Sequence, residues 1–389
     1  MLAEIIPKLA AMEQEETRLY YPRPSLASPA LPDDPGRCIR ALTYARTGIP
    51  PAPWPGRFLL VLDDSSWHAE LTLDWLRKSS YRIHSQELAV DLPLPRPIGR
   101  GGYCSRCQLA IPNTVLHGHI DALLTDLLGV DRLLELKSIS HFGFEEVLKG
   151  EPSLDHLTQT CIYLAGVNVT FRVGISQAVL LYKNKNTAAY AEFVLTYDQN
   201  TDRCHVLTFT ASEGIHQELN RTYEGLVTNA LAKFALVEQH ATANQLPQRP
   251  YRSDHWRCGY CPWSRVCWDG YVNEVAARET TVTLPEDLHP LVHTYAEAAA
   301  LKGRNETITK RLRPQLLAAM EAANAKTATA GAHTLTVTAQ ERVSLDESQI
   351  PPDIRTAAEV SKIVETLRVS AATRQTTTDT SPDLPTPNE

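Results

Sequence analysis

The stretch LHGHIDALLTDLLGVDRLLELKSIS, residues 116–140, constrains this chain more than any other. Two apolar runs with strand character, 116–124 and 132–139, are joined by the turn TDLLGVD. Ionisable groups sit inside both: Asp121 in the first, Glu135 and Lys137 in the second. Side chains alternate along a strand, so Glu135 and Lys137 project from one face and Leu136 from the other. If the first run pairs antiparallel with the second, Asp121 reaches the same edge. Two converging carboxylates bind a hard divalent cation such as Mg²⁺ or Mn²⁺ through oxygen. A lysine beside them can orient or deprotonate a water and offset charge on a phosphate. An ordinary buried ion pair at a strand end is the competing reading, and the motif alone leaves both open.

The segment SLDHLTQTCIYLAGV predicts a helix with Ser153 at its N-cap. On it His156, Gln159 and Tyr163 fall at i, i+3 and i+7, on one face, where an apolar helix would present Leu, Ile or Val. Upstream, His68 follows Trp67 at the start of the predicted amphipathic helix WHAELTLDWLRKS, in a position to supply an imidazole ligand. A single histidine is more often structural; the ordered set carries the signal.

Around these motifs the chain is organised as helices, then strands, then a helix and more strands, the pattern of a compact α/β core. Residues 1–35 are an amphipathic helix, with Glu4, Glu13, Glu15 and Glu16 among its apolar residues, and a proline-rich lead-in. Its acidic start is unlike a signal peptide. Residues 36–48 have helical spacing, and 82–94 alternates as a strand. A hairpin is expected around KNKNTAA, and a helix from about 213 to 238. The core is taken as 36–275. An extension, 285–369, follows with an alanine-rich helix bent at Pro314, a strand pair in AHTLTVTAQERVSLD and a short helix. The polar Thr/Pro tail, 370–389, is expected to be disordered. Lys302, Arg304, Lys310, Arg311 and Arg313 on the alanine-rich helix read as a solvated face ahead of a DNA contact.

With 389 residues, two or three domains of about 100–200 residues are expected. A net charge of −7 argues against non-specific nucleic-acid binding by the whole surface, but a local basic groove is compatible with it. No apolar run approaches a membrane span, so no membrane association and a cytoplasmic location are expected.

Eight cysteines in a reducing compartment point to metal or cluster chemistry before disulfides. CGYCPWSRVC places Cys258, Cys261 and Cys267 in a tight, Trp-rich turn that needs a fourth ligand, with zinc or an iron–sulfur cluster as the chemical options. Cys104 and Cys107, in GGYCSRCQLAIP, form a C-x2-C that is half a zinc site; with no second pair evident they read as unliganded thiols or an insertion. Cys161 and Cys204 read as buried small hydrophobes.

The ordered set of His68, Asp121 in GHIDALL, Glu135 to Lys137 in ELK, and Gln159 and Tyr163 in QTCIY resembles the RecB-like branch of the PD-(D/E)XK nuclease superfamily. The resemblance covers residues 38–270. It implies a restriction-endonuclease-like α/β core, a central mixed sheet flanked by helices, with a cysteine-bound cluster subdomain and a mostly helical C-terminal extension. It implies that Asp121 and Glu135 bind Mg²⁺ or Mn²⁺, that Lys137 is catalytic, that His68 is a further metal ligand, and that Gln159 and Tyr163 line the site and contact substrate. The family often has a glycine four residues before the histidine; here that residue is Asp64. Cys38 with Cys258, Cys261 and Cys267 matches the bracket of four cysteines that holds a [4Fe-4S] cluster in the AddB-type helicase-nucleases and the CRISPR-associated RecB-like exonucleases. A zinc knuckle on the same cysteines is the alternative. The implied activity is a metal-dependent DNA nuclease, more an exonuclease than an endonuclease, on single-stranded DNA or DNA ends. The implied setting is recombination, repair, or a mobile-element or CRISPR context, with a helicase, recombinase or integrase as partner. A catalytically inactive DNA-binding scaffold of the same fold is the alternative. A redox protein is disfavoured, because GRGG at 99–102 is too short for a nucleotide fingerprint.

Overall fold

The apolar runs that frame the ionisable residues become neighbouring strands of one large sheet. The computed structural model describes residues 2–12, 20–30, 34–212, 214–253, 255–271 and 273, then 294, 297–298, 300–308, 311, 327–330 and 333–336. The chain divides into two units, Met1–Asp269 and Gly270–Glu389.

The first unit opens with helices α1 (Leu2–Met12), α2 (Ile39–Thr47) and α3 (Gly56–Arg77). Strands β1 (Arg82–His84), β2 (Ala89–Pro93), β3 (Gly102–Tyr103), β4 (Ala110–Ile111), β5 (Val115–His119), β6 (Ala122–Thr125) and β7 (Asp131–Ile139) follow. Helices α4 (His141–Leu148) and α5 (Leu154–Phe171) then cross to β8 (Ala178–Asn184), β9 (Tyr190–Asp198), β10 (Arg203–Ala211) and β11 (Ile215–Glu224). Helix α6 (Leu226–Thr242) and the short helices α7 (Trp256–Gly259) and α8 (Ser264–Trp268) close the unit.

Seven strands form a mixed sheet in the order β1-β6-β7-β8-β9-β10-β11. Only β7 and β8 run parallel, and they are joined by the α4–α5 crossover that a parallel pair requires. Separate two-stranded ribbons pair β2 with β5 and β3 with β4. Alternation along the strands builds a core on each face of the sheet. Leu133, Leu180, Tyr182, Phe193 and Phe209 pack with Leu157, Ile162 and Leu164 of α5 and Phe234 of α6. On the other face, Ala122, Leu124, Leu134 and Val179 pack with Leu73 of α3. This is a mixed α/β architecture with a central sheet flanked by helices. Cys161 and Cys204 are fully buried in the larger core, as expected of small apolar groups.

Several sequence expectations change. The run 82–94 is not one strand: Ser85 and Glu87 take left-handed backbone angles (φ 52° and 51°), and the chain leaves β1 for β2 in another ribbon. The run 116–124 likewise breaks at Ile120–Asp121, where the chain passes from the β2–β5 ribbon into the main sheet. The helix expected from 213 to 238 is strand β11 up to Glu224, with α6 starting at Leu226. Residues 215–224 are polar and rich in helix formers, but pairing with β10 overrides that preference. Helix α3 starts eleven residues earlier than predicted, which puts Trp67 and His68 in its middle. In the second unit the strand pair is β12 (Thr327–Ala330) with β13 (His333–Thr336), somewhat before the expected position. Residues 301–308 are helical, with Lys302 and Arg304 exposed. Glu13, Glu15, Glu16, Lys310, Arg313, Pro314, the last predicted helix and the tail lie outside the described residues. Among the described residues, no helix is long and apolar enough to cross a membrane.

Candidate functional site

Strands β6 and β7 pair antiparallel with Ala122 opposite Leu134, so the chain just before β6 runs beside Glu135. There the Asp121 carboxylate accepts the backbone N–H of Leu136 through Oδ2 at 2.6 Å. Glu135 is buried (1% exposed), and its Oε1 accepts from the Lys137 ammonium. Its Oε2 is buried and makes no hydrogen bond. Burial, then the Asp121 carboxylate, push the Glu135 carboxyl up to about 8 against the pull of Lys137. Burial also raises Asp121, opposed by Lys137 and by the Leu136 N–H.

Helix α5 covers the face to which Glu135 and Lys137 point. Gln159 donates from Nε2 to the Tyr163 hydroxyl at 3.4 Å, and both residues are buried. Burial, then Glu135, raise the Tyr163 phenol. The ring has room because residue 118 is glycine: a Cβ there would lie 2.7 Å from Tyr163 Cε1. His156 Nδ1 is 3.0 Å from the Tyr182 hydroxyl. Burial, then Lys137 and Arg37, hold the imidazole down to about 3, so it is neutral at physiological pH.

The structure does not join His68 to this group. It lies in α3, which packs against the other face of the sheet, and its charged neighbours are Lys183, Lys185 and Asp64. Two residues that the sequence did not single out stand at the rim. The Glu87 N–H donates to the Asp121 carbonyl at 3.3 Å, and the Glu87 carboxylate pairs with Arg106. Burial raises Glu87, with Arg106 opposing and Asp121 adding. Glu87 escaped notice because it sits in a left-handed turn inside a run that reads as continuous strand.

The segment that carries the C-terminal cysteines folds back onto the chain on both sides of α2. Trp263 Nε1 donates to the Ile49 carbonyl at 2.8 Å, the Ala52 N–H donates to the Pro262 carbonyl at 2.9 Å, and Tyr251 donates to the Gly36 carbonyl. Cys38 and Cys261 line one cleft of about 1420 Å³ with Trp54, Tyr260 and Trp263. Burial pushes the Cys261 thiol up to about 11, and Cys38, Cys267 and Cys258 add to the effect. None of the eight cysteines is in a disulfide. His255 is committed elsewhere: its ring stacks on Tyr251 at 4.2 Å, and Nδ1 accepts the Arg257 N–H.

Cys104 and Cys107 do have a second pair. Their sulfurs gather with a ring nitrogen each from His117 and His119, all within 4.8 Å of one another, an arrangement that could hold a metal ion. The signal was present as H-x-H on β5, but it is masked by its place directly before Asp121.

No family model matches the chain, and no curated protein matches it. A solved structure titled "Crystal structure of SSO0001" aligns at 16% identity over 69% of this chain and 96% of that one, with a TM-score of 0.32. A superposition this loose carries no argument about fold or activity.

Proposed function

We propose that the chain is a metal-dependent deoxyribonuclease similar to the RecB-like branch of the PD-(D/E)XK superfamily, acting as an exonuclease on single-stranded DNA or DNA ends. The observation that carries this reading is the unpartnered Oε2 of Glu135 beside the Asp121 carboxylate. A buried, unsatisfied acceptor costs about 1–3 kcal/mol, and more when charged. The contact with Lys137 alone leaves that oxygen without a partner, whereas a cation held by Glu135 and Asp121 would engage it. Bound there, Mg²⁺ or Mn²⁺ would polarise a phosphodiester and lower the pKa of an attacking water.

The chain's own groups supply the rest. The Leu136 N–H fixes one oxygen of Asp121 and leaves the other available. The Lys137 ammonium, next to Glu135, offsets negative charge on a phosphate brought to the pair. Gln159 and Tyr163 offer an amide and a phenol above the same strand face. His156, held neutral, can accept or donate a hydrogen bond there without adding charge.

In this reading Cys38, Cys258, Cys261 and Cys267 hold a [4Fe-4S] cluster. The influence of Cys38, Cys258 and Cys267 on Cys261 and the cleft shared by Cys38 and Cys261 fit such a group. Convergence within 4.8 Å, as a single ion demands, is found among the described residues at Cys104, Cys107, His117 and His119 instead.

The test is cleavage of an end-labelled single-stranded oligonucleotide with Mn²⁺ or Mg²⁺. Lys137→Ala should lower the rate roughly 100-fold or more while leaving fold and DNA binding intact. Asp121→Ala should abolish both cleavage and divalent-ion binding. Near wild-type cleavage in either variant sinks the assignment, and DNA binding without cleavage by the wild type would make the protein an inactive scaffold.

A further inference from the structure

The turn of β3–β4 and the end of β5 bring four soft or borderline donors together outside the carboxylate pair. Residues i and i+2 of a strand share a face, so His117 and His119 point the same way from β5. Opposite them the chain makes a tight knuckle. Cys104 N–H donates to the Leu109 carbonyl at 2.9 Å, Gln108 N–H donates to the Cys104 carbonyl at 2.9 Å, and Gln108 takes a left-handed angle (φ 57°). This wraps the backbone around both thiols. His117 Nε2 lies 3.5 Å from Cys107 Sγ, and all four donor atoms lie within 4.8 Å of one another.

We infer that Cys104, Cys107, His117 and His119 form a structural zinc site. Two thiolates and two imidazoles are a closed tetrahedral set for Zn²⁺, with no position left for a substrate or water. The ligand orientation is supported from behind: Asp91 Oδ1 is 2.7 Å from His117 Nδ1, which leaves Nε2 with its lone pair toward the sulfur. A carboxylate behind a metal-binding histidine fixes both tautomer and ring orientation. Cys104 and His117 are buried (3% and 5% exposed), so these two donors are shielded from solvent. Two cysteines and two histidines also hold Rieske-type [2Fe–2S] centres, but convergence of all four donors on one point suits a single ion.

The site is independent of any nuclease activity, yet it adjoins the carboxylates. Arg106 lies between the two thiols in sequence and pairs with Glu87, and His119 is two residues before Asp121. Zinc would therefore pin both the knuckle that presents Arg106 and the strand that leads into Asp121.

The experiment is metal analysis of the full-length protein from zinc-supplemented cells, with cobalt(II) reconstitution of the stripped protein. One zinc per chain is expected, beyond any iron. Cobalt should give intense visible d–d bands of a tetrahedral centre and thiolate charge-transfer absorption. Cys104→Ser and His119→Asn should each lose the zinc, whereas Cys258→Ser with Cys261→Ser should keep it. If the first two variants fail to fold, the wild type decides: a strong chelator should release one zinc and lower its thermal midpoint. A wild-type protein that holds no zinc after reconstitution overturns the inference. So does zinc that depends on Cys258 and Cys261 while surviving Cys104→Ser, or an iron–sulfur spectrum that persists without Cys258 and Cys261.

Discussion

Glu135 has one carboxylate oxygen on Lys137 and the other on nothing, and this asymmetry sets its pH behaviour. Its folded pKa, about 8, lies above the ordinary carboxylate value of 4.5. Between those two pH values the folded chain holds a proton that the unfolded chain has released. Without metal, Glu135 therefore contributes stability at low pH that is lost as pH rises through about 8. A divalent ion must displace that proton, so its affinity should rise with pH up to about 8 and level off above. Calorimetric titration with Mn²⁺ at pH 6, in two buffers of different ionisation enthalpy, should show about one proton released per ion bound. Absence of proton release would mean that the ion binds elsewhere. At this scale the sequence was informative where alternation applies: the side on which Glu135 and Lys137 project follows from strand geometry alone. The contacts of His68 were not legible, because they depend on which face of the sheet α3 covers.

Among the elements, β5 and β6 show why part of the site could be read and part could not. The antiparallel pairing of β6 with β7 was legible from two apolar runs and a short turn. The break at Ile120–Asp121 was not, because apolar residues continue through it and periodicity gives no mark where a strand changes sheet. The same break separates His117 and His119 in a ribbon from Asp121 at the entry to the main sheet, which hid the second half of the C-x2-C site. Gly118 ties these elements together. A Cβ at that position would stand 2.7 Å from Tyr163 Cε1 and 2.9 Å from Pro24 Cγ. The tyrosine is 5% exposed and has little room to retreat. Gly118→Ala should cost about 1–3 kcal/mol in denaturant unfolding, through overpacking. It should also shift the aromatic NMR signal of Tyr163, whereas Gly174→Ala, in open space, should leave that signal unchanged. An unchanged Tyr163 signal in Gly118→Ala would show that α5 does not press on β5 as described.

For the first unit as a whole, the proposed cluster would link Cys38, before the first strand, to the cysteines that follow the last helix of the main core. The return of that segment is secured by weak individual contacts: Trp263 to Ile49, Ala52 to Pro262 and Tyr251 to Gly36. Each exposed or half-exposed hydrogen bond of this kind contributes about 1 kcal/mol. A cluster ligated by Cys38, Cys258, Cys261 and Cys267 would add a covalent closure of roughly 220 residues, and long closures restrict the unfolded chain most. By the chain-entropy account of cross-links this is worth on the order of 5 kcal/mol, less any strain. Cys38→Ser should therefore lose iron and loosen the entire sheet, not just the cysteine turn. Hydrogen exchange should quicken even in β8 and β9, which contain none of the ligands. His255→Ala is the matched control, since that ring stacks on Tyr251 and caps α7. It should keep its iron and disturb only the neighbouring turn. If Cys38→Ser retains full iron and core protection while His255→Ala loses both, the fourth ligand is the histidine, and the long closure does not exist.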